Sequence, residues 1–204
     1  RPLPDVYRGD RLGIGSAAIV SVLRRRRGKE DAMGVGGFAF VTIVLFMVHE
    51  LDEIVFIRRY IDKHSGDERY KAEMFVAGAR RYPSTELIAA MICEELIVSS
   101  LILLAGTLLG SIEVVAATFI AYALHLLAHI REAFVFPGWA PGSRTAVLTS
   151  PLVAAVLGAI FMMFTVSWPL LAVLTIVIGA GLVTNLNLMH RLAGRVDAAI
   201  TSAA

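Results

Sequence analysis

Cysteine is nearly absent from this 204-residue chain, in which Cys93 is the only one. A single thiol excludes an internal disulfide framework and any zinc site built from several thiolates. Charge is also sparse, since 19 basic and 17 acidic residues leave a formal net charge of +2. The charges crowd into a few segments and form no continuous basic face, so the sequence predicts no nucleic-acid partner.

Apolar side chains are what the chain has in excess. They make up 57% of the residues and give a mean hydropathy of +0.71, whereas soluble domains average about 45–50% apolar residues. Five segments approach or exceed the roughly 20 residues that a helix needs to cross hydrocarbon, namely residues 34–57, 85–109, 112–130, 145–166 and 169–192. We predict an all-α fold, a polytopic membrane helix bundle of about five transmembrane helices, in a single domain of residues 33–204.

The first thirty-odd residues differ from the rest in composition. They carry four consecutive arginines at 24–27 and an apolar piece at 12–23 that is short for a membrane span. This piece is typical of an interfacial or signal-like segment. We interpret residues 1–32 as a flexible basic arm or a non-native extension, and we expect the folded unit to begin near Met33.

The lysines and arginines of the connections predict the orientation, because cytoplasmic loops carry the excess. The connection 58–84 holds seven of them and the connection 131–144 holds two, whereas the turns 110–111 and 167–169 hold none. The basic connections and the C-terminus are therefore expected on the cytoplasmic side of a bacterial inner (plasma) membrane. Alternating charges in 58–84 also predict an amphipathic helix on the membrane surface.

Ionisable side chains inside the apolar segments are the candidates for function, because each costs about 3 kcal/mol or more in hydrocarbon. Residues three or four apart share a helix face, so His49 stands beside Glu53 and His125 beside His129. At 1.5 Å per residue, His49 lies about 12 Å, Glu94 about 14 Å and His125 about 8 Å from the expected cytoplasmic ends. These groups are predicted to meet in one half of the bilayer.

Histidine nitrogen combined with carboxylate oxygen is a ligand set for zinc, iron or manganese. Paired i, i+4 ligands on facing helices also resemble dinuclear centres of four-helix bundles. We predict a divalent metal held by His49, Glu53, His125 and His129. Glu94 and Glu95 are predicted to be catalytic, as ligand or general base. The residues expected around the site are Asp52, Tyr122, Glu132, Asn187 and His190.

The ordered series of these residues resembles the bacterial HXXEE-motif membrane proteins, a family of uncharacterised function. The motif position is residues 49–53, where Asp52 stands for the first glutamate. The resemblance continues through Glu94-Glu95, the segment 125–129 and the stretch 141–146 that leads to Pro151. It covers residues 33–191 and implies a membrane protein with a polar core, without implying a reaction.

Three functions are consistent with such a core. The favoured one is a metal-dependent membrane enzyme, hydrolytic or oxidative, acting on a lipid or other apolar small molecule from the cytoplasmic leaflet. A small proton- or metal-ion-coupled transporter is the alternative, although neither a repeat nor a polar path to the outer leaflet is evident. A non-catalytic membrane scaffold is the third, but it leaves the pairing of histidine with glutamate unexplained.

Overall fold

The computed structural model describes residues 11–82 and 84–203, with side chains described from residue 34 onward. This part of the chain is helical and contains no strand. Its α-helices are α1 Arg11–His64, α2 Met74–Ala77, α3 Thr85–Leu109, α4 Ile112–Val135, α5 Ser143–Met163 and α6 Trp168–Ala203. The predicted all-α helical bundle is confirmed.

The helices α3 to α6 are each long and apolar enough to cross a membrane. They correspond to four of the five predicted spans, and they indicate an integral membrane protein. The fifth predicted span, residues 34–57, lies within α1 and stays a prediction. The predicted boundary near Met33 also falls inside α1, while residues 1–10 lie outside the described residues, so the division into an arm and a domain stays a prediction as well.

One face of α1 is buried along the bundle. Val35, Ala39, Thr42, Phe46 and His49 are all less than 9% exposed and follow one another at intervals of three or four residues. Such spacing places them on one side of a helix. The N-terminal part of this buried face is mainly apolar, and His49 continues the same face into the interior of the bundle.

The two ends of the bundle differ in the length of their connections. At one end, Gly110 adopts a left-handed conformation (φ 63°) that ends α3, and the Ser111 side chain caps α4. Glu113, in the first turn of α4, accepts a 3.0 Å hydrogen bond from the backbone N–H of Ser167, which lies in the turn before α6. Both short turns therefore lie at one end, and the long connections lie at the other.

The connection between α1 and α3 packs against the bundle instead of lying on it as one helix. After His64 the chain forms 3₁₀ turns at Glu68–Tyr70 and Ala79–Arg81, with the four-residue α2 between them. Tyr70, Phe75 and Tyr82 are each less than 9% exposed. The predicted amphipathic surface helix over 58–84 is therefore wrong, because these aromatic side chains are buried against α1, α3 and the α4–α5 connection.

Candidate metal centre

Two helices each supply a pair of candidate metal ligands. His49 and Glu53 stand one turn apart on α1, and His125 and His129 stand one turn apart on α4. His49 and His129 are 0% and 1% exposed, and Glu53 is 7% exposed. Because the buried faces of α1 and α4 meet, both pairs point into the same space.

The four ligand atoms form a closed ring of short distances. His125 Nε2 lies 3.2 Å from His49 Nε2 and 3.1 Å from His129 Nε2. Glu53 Oε1 lies 2.9 Å from His129 Nε2 and 3.6 Å from His49 Nε2. All four atoms lie within 4.8 Å of one another.

These distances fit donor atoms that surround one cation. Atoms bonded to an ion at about 2.1 Å are separated by about 3.0 Å at a right angle and about 3.4 Å at a tetrahedral angle. The ring distances of 2.9–3.6 Å span that interval. The group could therefore hold a metal ion.

The hydrogen bonds of His129 strengthen this conclusion. Its Nδ1 lies 3.2 Å from the carbonyl oxygen of Pro141, and a carbonyl can only accept, so Nδ1 carries the proton. In a neutral imidazole Nε2 is then a bare lone pair, yet it lies 2.9 Å from Glu53 Oε1. That oxygen is buried and makes no regular hydrogen bond. A lone pair and a carboxylate at this distance need a positive charge between them, either a proton or a metal.

Gly142 closes the other side of the ligand group. It precedes α5 with a φ of 76°, a left-handed conformation that favours glycine. A Cβ atom at this position would lie 2.8 Å from Glu53 Oε1, 2.9 Å from His129 Nδ1 and 2.9 Å from His49 Cε1. The backbone can approach the ligands this closely only because residue 142 has no side chain.

A cleft opens beside the ligand group. Its polar lining includes Glu50, Glu53, Glu95, His125 and His129, and the rest is mainly apolar, contributed largely by α3, α6 and α2. His125 keeps 35% of its side chain exposed. The ligands are therefore accessible from the cleft through His125.

Comparison with protein families assigns the chain. The family model described as a protein of unknown function with an HXXEE motif matches residues 40–156, which is 117 of the 204 residues and thus more than half of the chain. The protein belongs to this HXXEE family. No curated protein and no solved structure matches the chain. The family match contains all four candidate ligands together with Glu94 and Glu95, and it ends before α6.

The HXXEE motif is His49-Glu50-Leu51-Asp52-Glu53 in this member. Two of its acids, Glu50 and Asp52, are not among the four candidate ligands, and they have different surroundings. Glu50 Oε1 lies 3.7 Å from His125 Nε2 and is 7% exposed. Asp52 Oδ2 accepts a 3.0 Å hydrogen bond from the backbone N–H of Gly142 and lies 3.4 Å from Thr145 Oγ1. Asp52 thus holds the start of α5 against the site.

Thr145 connects Asp52 to the ligand group. Its Oγ1 lies 3.1 Å from Nδ1 of His49. Partners of this kind orient a metal-binding imidazole and set which ring nitrogen carries the proton. Asp52 was expected around the site, and the structure places it behind Thr145 and Gly142, which contact the ligand group.

The two predicted catalytic glutamates point in different directions from α3. Glu95 lines the cleft beside the ligand group. Glu94 accepts a 2.9 Å hydrogen bond from Asn185 of α6 and does not line that cleft. Of the two, the structure places only Glu95 within the site.

The other residues expected around the site are only partly brought together. Tyr122 donates a 3.0 Å hydrogen bond to the Leu45 carbonyl, and its ring centroid lies 6.2 Å from that of His49. His190 lines the cleft, 2.9 Å from the hydroxyl of Tyr82. Glu132 is buried and pairs with Arg131. Asn187 is exposed and bonds to a carbonyl of its own helix, so it takes no part in the site.

Burial keeps the hydroxyl group of Tyr82 protonated, on the side of the cleft formed by the α1–α3 connection. Tyr82 is 7% exposed, and this desolvation, followed by the charge of Glu53, raises its pKa to about 12. Tyr82 therefore stays protonated at neutral pH and can donate its hydrogen bond to His190.

Asp52 provides a test of the outer hydrogen bonds. We expect Asp52→Ala to weaken metal binding by about 10- to 100-fold, the usual effect of removing such a partner, because Thr145 and Gly142 both lose their contact. Metal affinity measured by competition with a chromogenic chelator reports the change. Asp62→Ala is the matched control, since Asp62 lies on the same helix and pairs with Arg58 away from the site. Equal affinities in both variants would contradict the role of Asp52.

Proposed function

We propose that the protein is a metal-dependent membrane enzyme that acts on a lipid or another apolar small molecule. The observation that supports this most is that four atoms able to bind a metal lie at the wall of a mainly apolar cleft between helices that can span a membrane. His49, Glu53, His125 and His129 would hold the ion. Their three imidazole nitrogens and one carboxylate oxygen suit zinc, iron or manganese.

The chain supplies acid–base groups next to the ligands. A divalent cation at such a site supplies Lewis-acid chemistry, including activation of water near neutral pH. Glu95 lines the cleft without being one of the four ligands, so we assign it the role of general base that accepts the proton of the attacking group. Glu50 Oε1 lies 3.7 Å from the same His125 Nε2 that faces the ion position, so this carboxylate adds negative charge beside the proposed metal.

The lining of the cleft favours a substrate with an apolar part. Ile88, Met91 and Ile92 of α3 face Leu186 of α6 across it, and Phe75 closes it on the connection side. Burying each methylene of a hydrocarbon chain there contributes about 0.8 kcal/mol. A lipid chain can therefore lie between α3 and α6 while its polar end reaches Glu95 and the ligands.

The side of the membrane follows from the basic connections. The cleft lies at the end of the bundle where the connections rich in lysine and arginine meet, which supports entry of the substrate from the cytoplasmic leaflet. In this proposal the C-terminus is cytoplasmic and the membrane is the bacterial inner membrane.

A comparison of adjacent glutamates tests the proposal. Purified protein loaded with zinc, iron or manganese is incubated with the total lipid extract of a bacterium, and mass spectrometry follows the products. We expect the parent protein to convert a lipid class and Glu95→Gln to lose at least about 100-fold in rate while keeping its metal, as for removal of a general base.

Glu94→Gln is the matched control, because Glu94 bonds to Asn185 outside the cleft. It is expected to retain most of the activity. Bound metal without lipid conversion, together with metal or proton flux in reconstituted vesicles, would contradict the enzyme and identify a transporter.

A further inference from the structure

A second cavity lies beside the metal centre, at the level of the connections. It is bounded by the last turns of α1, by residues 137–141 and by the first turn of α5. Asp52 and Pro141 line it, and the same two residues contact the metal centre through Gly142 and His129. We refer to this space as the basic cavity.

Three cations line the basic cavity, namely Arg59, Lys63 and Arg144. Arg59 and Lys63 stand one turn apart on α1, and Arg144 stands in the first turn of α5. In the part of the chain that the structure describes, none of the three has a carboxylate within 4.0 Å. By contrast, four cations outside the cavity are paired, in Arg58–Asp62, Arg69–Asp67, Lys71–Glu68 and Arg131–Glu132.

The position of Arg144 increases the positive potential. The N-terminus of a helix carries a partial positive charge, which favours an anion and disfavours a cation. The guanidinium carbon of Arg144 lies 5.6 Å over the centroid of the Phe56 ring, a cation–π contact that holds the side chain without neutralising it. The one carboxylate that lines the cavity, Asp52, is already bonded to Gly142.

His64, which also lines the basic cavity, adds no positive charge to it. Its ring stacks on Tyr70 with the centroids 3.9 Å apart. Partial burial, followed by the charge of Lys63, lowers the pKa of His64. The histidine is therefore neutral at neutral pH, and the excess charge rests on the three cations.

The surroundings of the cavity match the boundary between hydrocarbon and lipid headgroups. Trp139 lines it and is 51% exposed, and tryptophan is enriched at membrane interfaces. Phe56 also lines it and is 40% exposed. Apolar surface for lipid chains thus adjoins the basic cavity.

We propose that the basic cavity binds a phosphate group, carried by an anionic phospholipid or present as free inorganic phosphate. Arginine and lysine together recognise phosphate oxygens, arginine by two parallel hydrogen bonds and lysine as a point charge. This site is separate from the proposed reaction, and its test uses none of the metal ligands.

The two tryptophans of the chain permit a direct measurement. They are Trp139, at the cavity, and Trp168, at the start of α6. Trp168→Phe leaves Trp139 as the single tryptophan, and its fluorescence is followed in detergent during titration with three ligands: inorganic phosphate, a short-chain phosphatidylglycerol and the phosphatidylcholine with the same chains. We expect a saturable change with phosphate or phosphatidylglycerol and a weaker response to phosphatidylcholine, whose choline cation opposes the cavity charge.

Variants in the same background assign the binding to the cations. Arg59→Ala with Lys63→Ala is expected to weaken the apparent affinity at least about tenfold, the usual effect of removing charge-assisted hydrogen bonds. Lys71→Ala is the control, because Lys71 lies outside the cavity beside Glu68. Arg59→Gln replaces the double variant if the latter loses its helical circular dichroism.

The outcomes separate the two sources of phosphate and test the site. Saturation by inorganic phosphate identifies a free phosphate site, whereas saturation by phosphatidylglycerol alone identifies a lipid headgroup site. The proposal is overturned by no saturable change with any ligand, by equal affinity for phosphatidylcholine, or by full affinity in a folded variant that lacks the cations.

Discussion

Replacing His125 and His129 together by alanine is expected to lower the bound metal from about one ion per chain to a trace. The two imidazoles supply half of the donor atoms in the ring and join the α1 ligands to α4. With both removed, His49 and Glu53 remain as a single pair, and a site that binds an ion firmly has three or four protein ligands. Elemental mass spectrometry of purified protein, with zinc, iron and manganese supplied in turn, measures the stoichiometry.

Stability provides a second measurement for the same variant. A ligand that binds only the folded protein raises the free energy of unfolding, so a chelator is expected to lower the unfolding temperature of the parent and to leave the double variant unchanged. His64→Ala is the control, because His64 stacks on Tyr70 outside the ligand group. A parent protein that carries no metal and does not respond to the chelator would contradict a metal centre and favour the scaffold.

Gly142→Ala is expected to disrupt the site almost as severely with a single methyl group. The added Cβ would meet Glu53, His129 and His49 at 2.8–2.9 Å, and real Cβ atoms do not approach other atoms so closely. Overpacking of this kind costs about 1–3 kcal/mol, in addition to about 1–2 kcal/mol for a left-handed alanine. We expect both a lower unfolding temperature and loss of metal binding.

Gly110→Ala separates the two causes. Gly110 has a φ of 63°, close to the 76° of Gly142, but nothing lies within 4 Å of its Cβ position. This control is expected to carry the backbone cost alone, at the far end of the bundle, and to bind metal as the parent does. If the two variants lose equal stability and both retain the metal, the ligands do not pack against residue 142 as the structure indicates.

The ligand pairs are the part of the site that could be predicted from local sequence. His49 with Glu53, and His125 with His129, are each four residues apart, and this interval puts two side chains on one face of any α-helix. The cost of ionisable groups in hydrocarbon then favours the interior of the bundle over its surface. Both arguments depend on helix geometry and on the bilayer, so neither requires the positions of the other helices.

The partners of the ligands could not be predicted in this way. Gly142 and Thr145 follow a connection whose path is decided by packing, and nothing local shows that its backbone touches three ligands. A signal was present in the Pro141-Gly142 pair, since glycine after proline is typical of a tight turn. The neighbour of Glu50 could not be predicted either, because His125 belongs to another helix.

The sequence by itself determined the helical class, the four helices α3 to α6 that are long and apolar enough to span a membrane, and the two candidate ligand pairs. These properties depend on run length, apolar content and the spacing of side chains along one helix. Only the tertiary structure decided the distances at which the predicted pairs meet, that Glu95 lines the cleft while Glu94 bonds to Asn185, and that Asp52 contacts Gly142 and Thr145. Adjacent residues of a helix point about 100° apart. The position of the neighbouring helix therefore decides which of the two faces the site.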